Sequence, residues 1–314
     1  MMGPHHDDVS AASPAASEES PQQISLSESD GIVPRLLVDV FAHVATLKGR
    51  SFSQVSVTVS YIELYNEHVL DLLDPARQES MPLADLLRRS ATLNLNQDAY
   101  GIRVAGALSV PVVSPLEVMG LLARGNHARA TAPTSCNAFS SRSHAICIVT
   151  IINSNTLTGR DLCSQVYLCD LAGSERLSKS NAVGSRLREA QHINKGLLAL
   201  TNVINALVRE QRNPPTYKDA FIPYRDSKLT RVLQNAFGGN GRTAIICNIS
   251  PTADAYGESM STLRFGSQCQ RILNTVRSNL KLRSRAELDR LLAAAEGLLL
   301  AQRQQLRRAQ AMQV

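Results

Sequence analysis

Two stretches of this sequence carry side chains spaced for chemistry. The first is Gln165-Val-Tyr-Leu-Cys-Asp-Leu-Ala-Gly-Ser-Glu-Arg176. Val166 to Cys169 read as a short buried strand, bounded by polar residues. Asp170 stands where that strand ends, and Ala172 and Gly173 let the backbone approach a ligand closely. In a phosphate-binding α/β fold, an acid here meets water-bound Mg²⁺ and a glycine N–H here senses a terminal phosphate. The same residues also suit a strand that simply ends in a turn. The second stretch, Asn137-Ala-Phe-Ser-Ser-Arg-Ser-His144, packs three hydroxyls and an arginine into a loop before an apolar run. Hydroxyls can ligate Mg²⁺ or hold an attacking water, and Arg142 can pair with a carboxylate through two hydrogen bonds. Taken alone, such a loop is equally an ordinary polar loop or a kinase target.

The elements that must position these residues are legible as hydrophobic patterns. Val33, Leu36, Leu37, Val40, Phe41 and Val44 form a helical stripe, with Pro34 in its first turn and His43 on its surface. Val55, Val57, Val59 and Tyr61 alternate, so 53–64 reads as a strand, with a turn at Asn66-Glu67. Residues 92–113 read as short strands punctuated by Gly101 and Gly106. Ser114-Pro-Leu-Glu117 is a capping box that opens a helix expected to stop at Gly125. Ala145–Ile152, Val166–Leu171 and Ala244–Ile249 are largely apolar runs that read as strands covered on both faces. Ile193, Leu197, Leu200, Ile204 and Leu207 mark the longest helix, and shorter helices are expected over 227–237 and 259–273. Strands alternating with helices predict an α/β fold with a largely buried central sheet.

Composition narrows the function classes. The chain has 314 residues, 44% of them hydrophobic, and carries a net charge of +6. No apolar run approaches a membrane span, and no signal-peptide pattern opens the chain. The six cysteines form no Cys-x-x-Cys pair, which favours reduced thiols over a disulfide frame or a zinc site. Residues 1–29 are rich in Ser, Pro and acids and lack Lys and Arg, so they are expected to be a disordered leader. Residues 176–231 hold eleven Lys/Arg against four Asp/Glu, a local surplus larger than that of the whole chain. Such a block fits an acidic partner or simply a solvated basic face. Its aromatics, Tyr217, Phe221 and Tyr224, are too few for base stacking, and no nucleic-acid motif appears. Beyond the last apolar helix, Leu288, Leu292, Ala295, Leu299 and Leu306 fall on a 3-4 spacing that fits a neck-like helix, a short coiled coil or a plain terminal helix.

Six motifs in one order give the sequence a family likeness. They are Ser60-Tyr-Ile-Glu-Leu-Tyr-Asn-Glu67 with Asp71-Leu-Leu-Asp-Pro75, the Asn137–His144 loop, and Asp170-Leu-Ala-Gly-Ser-Glu175. Ile193-Asn-Lys-Gly-Leu-Leu-Ala-Leu200, Pro223-Tyr-Arg-Asp-Ser-Lys-Leu-Thr-Arg231 and Ser261-Thr-Leu-Arg-Phe265 complete the series. Over 30–275 the chain resembles a kinesin motor domain, with 276–314 as a following neck-like segment. The resemblance implies a P-loop-NTPase-like central sheet flanked by helices, ATP with Mg²⁺, and microtubules as partner. It places the protein in the cytoplasm on the cytoskeleton, as an ATP-driven motor, with a homodimer through the C-terminal helix. It assigns Ser140, Ser141 and Arg142 to one nucleotide-sensing loop and Asp170, Gly173 and Glu175 to the other. Asn137, Ser141, Asp170 and Gly173 become nucleotide contacts, Ser141 and Asp170 the Mg²⁺ site, and Arg142–Glu175 the pair that closes the two loops. The helix with Lys195 and the basic block face acidic tubulin in this reading, with Lys179, Arg186, Arg188, Lys195, Arg225, Lys228 and Arg231 as contacts.

The sequence departs from the family chiefly at one place. No Gly-x-x-x-x-Gly-Lys-[Ser/Thr] loop occurs, and there is no Gly-Lys pair at all. Gly238-Gly-Asn-Gly-Arg-Thr243 is the one glycine-rich candidate, and it reads as a tight turn. The family's first strands and phosphate loop have no counterpart, so the sheet is expected to lack them and to carry unpaired edges or a gap. The chain is accordingly expected to bind ATP very weakly or not at all on its own. The alternatives are a truncated version of an active motor and a non-hydrolysing microtubule-binding module. Gly196 and Thr201 also differ from the family's common Ser and Gly, at positions expected to lie away from the two sensing loops.

Overall fold

The computed structural model describes residues 26–78, 85, 87–88, 93–98, 101–130, 142–174, 185–212, 221–283 and 285–311. Helix α1 (Ile32–Lys48) buries Val33, Leu37, Phe41 and Val44 along the stripe read from the sequence, and His43 is exposed. Strand β1 (Ser53–Tyr65) turns at Asn66 and Glu67 into β2 (His68–Asp71). Both turn residues have positive φ, 49° and 60°, as a two-residue hairpin with right-twisted strands requires. A short helix α2 (Pro75–Gln78) follows. Strands β3 (Asn94–Asp98) and β4 (Gly101–Ala105) form a separate hairpin, and β5 (Val110–Pro111) adds to β1.

Helix α3 (Pro115–Ala130) opens on the expected capping box. The Glu117 N–H donates to Ser114 Oγ at 3.3 Å, and the Glu117 carboxylate accepts from the Val113 N–H at 2.8 Å. The helix does not stop at Gly125. A Cβ there would lie 2.4 Å from Cδ1 of Tyr61, so this glycine lets the helix close on a ring and is not a cap.

The central sheet has the order β2-β1-β6-β7-β8, with β6 spanning His144–Asn155, β7 Arg160–Asp170 and β8 Leu280–Leu282. All its pairings are antiparallel. β6 is in register with β1 from Ser53↔Asn155 to Leu64↔His144 and with β7 from Asn155↔Arg160 to Ala145↔Asp170. Because side chains alternate across a strand, the sheet has two apolar faces. Val57, Val59, Tyr61, Ala145, Cys147 and Val149 pack with α1 and α3, while Ile62, Leu64, Ile146 and Ile148 pack on the opposite side. That second side is covered by α4 (Ser185–Arg212), through Leu200, Val203, Ile204 and Leu207, and by α5 (Lys228–Val232). Helices α6 (Tyr256–Cys269) and α7 (Arg285–Ala311) complete the order. The expected 227–237 helix is only α5, followed by turns to the glycine-rich bend. There Gly238 has φ 79° and a Cβ would meet Leu207 Cδ2 at 2.5 Å, so it is a packing turn.

One expected strand does not form. The Thr243–Ser250 run has no strand partner among the described residues, with Ile246 61% and Ile249 55% exposed. β6 is already paired on both edges, and β7 pairs outward with β8 only at Arg160, Asp161 and Leu162. With no ladder to join, an apolar β-branched run stays coil. Among the described residues, β7 beyond Cys163 carries the unpaired edge anticipated from the sequence.

Candidate functional site

Asp170 closes β7 where the register with β6 ends, opposite Ala145. Its carboxylate Oδ2 accepts from Arg129 Nη1 at 2.9 Å, while the rest of its side chain stays 60% exposed. Arg129 comes from the last turn of α3 and is buried. Its Nε donates to Ser143 Oγ at 3.2 Å and its Nη2 to the Ser143 carbonyl at 2.7 Å. Glu63, fully buried on β1, completes the cluster: Ser143 Oγ donates to Glu63 Oε1 at 2.5 Å, and Arg129 Nε lies 3.4 Å from the same oxygen. A carboxylate and a guanidinium removed from water need each other and these hydrogen bonds. The cluster therefore ties β1, the residue before β6 and the end of β7 to α3.

His144 performs a second tie. Its Nδ1 accepts from the Ala172 N–H at 2.9 Å, which fixes the backbone two residues past Asp170. Burial, followed by the nearby Arg129 charge, lowers its pKa to about 4, against a smaller opposing effect of Asp170. The ring is neutral, with its proton on Nε2. A Cβ added at Gly196 of α4 would lie 3.3 Å from that Nε2. Position 196 thus touches the histidine that holds the Ala172 backbone, contrary to the expectation that it lies away from the sensing loops.

The predicted site residues divide into three groups. Asp170 and Gly173 sit together at the end of β7, and Arg142 lines a small cavity with His144, Glu67 and Gly196. Asn137, Ser140, Ser141, Glu175 and Lys179 lie outside the described residues, as do the side chains of Arg186 and Arg188. The Arg142–Glu175 pair is therefore not part of the described geometry. Arg129, Glu63 and the acceptor role of His144 were missed by sequence reasoning. Arg129 left one usable signal: it follows Val118, Leu121, Leu122 and Gly125 on the buried stripe of α3, where an arginine demands a buried acid.

A second feature gathers basic residues. Glu67, in its left-handed turn, accepts from Ser227 Oγ at 2.7 Å and from the Lys228 N–H at 2.8 Å. Ser227 in turn caps α5 through the Leu229 N–H at 3.1 Å. These bonds satisfy the helix start and tie α5 to the hairpin turn. Arg225, Lys228 and Arg231 line one groove of about 620 Å³ with Leu93, Asn94, Leu95, Asn96 and Ala105 of the β3–β4 hairpin region. Lys195 is exposed on α4 and does not line that groove. Burial, with the Lys228 charge, lowers the pKa of His68 beside it.

A family model, the kinesin motor domain, matches residues 19–272. The chain belongs to the kinesin motor domain family. It is 42% identical over 270 residues to a kinesin heavy chain of Gibberella moniliformis, covering 86% of this chain and 27% of that protein. It is 41% identical over 269 residues to kinesin-related protein 3 of Dictyostelium discoideum, covering 86% of this chain and 21% of that protein. The chain thus spans about a quarter of the length of these kinesins. A solved fast kinesin superposes with a TM-score of 0.69 at 37% identity, covering 91% of this chain and 70% of that one. A KIF14 fragment, solved as a dimer with AMP-PNP in complex with a microtubule, matches with a TM-score of 0.69 at 35% identity. It covers 85% of this chain and 71% of that one. Kinesin membership accounts for the mixed α/β fold with its helix-flanked antiparallel sheet. No described helix is long and apolar enough to cross a membrane.

Proposed function

We propose that this chain acts as the track-binding and switch portion of a microtubule motor, working on the cytoskeleton in the cytoplasm. The observation that carries this reading is the groove of Arg225, Lys228 and Arg231, fixed to the sheet by Glu67. A cationic groove fixed by the two Glu67 hydrogen bonds suits an acidic protein surface, and the microtubule-bound KIF14 fragment supports tubulin as that surface. Lys195 extends the basic face along α4, and Lys179, Arg186 and Arg188 are further candidate contacts.

The switch half of the proposal rests on the Asp170 end of β7. An exposed carboxylate held at one oxygen by a buried arginine fits a water-mediated contact to Mg²⁺. Ser140, Ser141 and Asn137 are the matching donors on the other loop, with Gly173 as γ-phosphate sensor and Arg142–Glu175 as the closing pair. ATP with Mg²⁺ is the ligand this set fits. The phosphate cradle is a different matter: Gly238–Thr243 is occupied by its own packing and no other glycine-rich stretch carries a lysine. Sensor residues fit the nucleotide and the cradle does not, so no hydrolytic step is assigned to these residues. Within the chain, a shift at Asp170 passes through Arg129 to α3 and, by way of Ala172 and His144, to α4 at Gly196. The exposed leucines of α7, Leu292 and Leu299, fit pairing with a second copy.

Microtubule co-sedimentation tests the track assignment. The double variant Arg225→Ala with Lys228→Ala is expected to bind about tenfold more weakly at low salt, with the difference shrinking as ionic strength rises. Equal sedimentation of variant and parent across salt would remove the tubulin assignment.

A further inference from the structure

The Thr243–Ser250 run lacks strand partners among the described residues, yet it is tethered at both ends. The Thr243 hydroxyl donates to the Ala236 carbonyl at 2.6 Å. At the other end the Ser250 N–H donates to Ser259 Oγ at 3.2 Å, and that hydroxyl returns a bond to the Ser250 carbonyl at 3.0 Å. Between these ties Cys247 is half-buried while Ile246 and Ile249 are exposed. Its Sγ lies 3.0 Å from where a Cβ on Gly266 would stand, so the thiol rests on α6 in the space that a glycine leaves. Cys269 is three residues further along α6, on the same helix face, where neighbouring Cβ atoms are about 5–6 Å apart. Both thiols are free in the structure. Burial pushes Cys269 up to about 12, and the neighbouring Cys247 adds to the rise.

We propose that Cys247 and Cys269 are a peroxide-responsive thiol pair whose disulfide staples the Thr243–Ser250 run to α6. The oxidant is a hydroperoxide. The Cys247 thiol attacks the peroxide oxygen, giving a sulfenic acid and, from hydrogen peroxide, one water. The Cys269 sulfur then displaces hydroxide from the Cys247 sulfur, and the thiol proton leaves with that hydroxide as a second water. Two thiols are oxidised by two electrons as the O–O bond is reduced. The second step is slow, because a buried thiol at Cys269 ionises reluctantly. The remaining described cysteines are poorly placed to compete. Cys147 and Cys169 point to opposite faces of the sheet. Cys163 is six residues from Cys169 along β7, about 20 Å of strand.

The full chain treated with hydrogen peroxide, blocked with an alkylating reagent and digested with trypsin without reduction gives a direct answer. Cleavage after Arg242, Arg264 and Arg271 places the two cysteines on separate peptides. The expected result is one species joining 243–264 to 265–271 that separates on reduction. Closing a loop of this size is also expected to raise the Tm by about 5–10 °C, an increment absent in Cys269→Ser and retained in Cys163→Ser. Recovery of the two peptides unlinked, whether alkylated or over-oxidised, would overturn the proposal. So would a link formed only between two copies of Cys247, or a linked pair with unchanged Tm. Microtubule binding plays no part in this test, so it stands or falls apart from the motor reading.

Discussion

The Ala145–Ile152 run and the Ala244–Ile249 run are nearly the same sentence written twice, and they end in opposite states. Both are largely apolar and rich in isoleucine. The first becomes β6, paired on both edges, with Ile146 fully buried. The second stays unpaired, with Ile246 61% exposed. Composition sets the capacity to form a strand, and the neighbouring ladders decide whether that capacity is used. The contrast extends to polar residues. Beside β6, three buried side chains share one hydrogen-bonded cluster. The polar ties of the 243–250 run are hydroxyls at its ends, exposed at Thr243 and half-buried at the Ser250–Ser259 pair.

The largest effect should come from breaking the buried cluster. Arg129→Ala leaves the Glu63 carboxyl group fully buried without the guanidinium beside it. That change is expected to cost about 3–5 kcal/mol, measured by urea unfolding. A second variant, Arg129→Met with Glu63→Gln, should recover a good part of the loss, since it removes both charges together. Equal destabilisation in the two variants would mean that the cluster acts through shape alone.

Acid probes the same region at His144. Its folded pKa is about 4, below the ordinary value of 6.5, so the folded state resists protonation that the unfolded chain accepts. The stabilising contribution is complete above pH 6.5 and is lost as pH falls towards 4. The integrated loss is roughly 3 kcal/mol. Unfolding midpoints between pH 7 and pH 4.5 should fall in the parent and fall less in His144→Asn, which keeps an acceptor for the Ala172 N–H but does not titrate. Parallel slopes in the two proteins would contradict a neutral buried ring.

These two residues also mark how far the sequence could be read. The helix and strand periods, the capping box at Ser114 and the turn at Asn66-Glu67 follow from local spacing, and they were legible. Asp170 and Gly173 were legible as a strand end beside a glycine. Arg129 with Glu63 was not, because the pairing joins residues from two elements that only the folded sheet brings together. Gly125 misled for a related reason: its role is to admit the Tyr61 ring, a contact across 64 positions of sequence. Ala244–Ile249 misled because its missing partner is a property of the sheet and leaves no mark in the run itself.

That last point can be tested in the smallest predicted effect. Ile146→Ala removes a fully buried side chain from a paired strand and is expected to cost about 2–5 kcal/mol, as core truncations do. Ile246→Ala makes the same chemical change in the matching run, where the side chain is already 61% exposed. Its cost is expected to stay within about 0.5 kcal/mol, as for surface positions. The two thermal unfolding curves, taken side by side, then measure the ladder and its burial directly, because residue type and neighbours in sequence are nearly constant. A loss at Ile246 comparable to that at Ile146 would show that the run packs against a surface that buries it in solution. In that case the Cys247–Cys269 staple would join two elements already held together, and its gain in Tm should shrink accordingly.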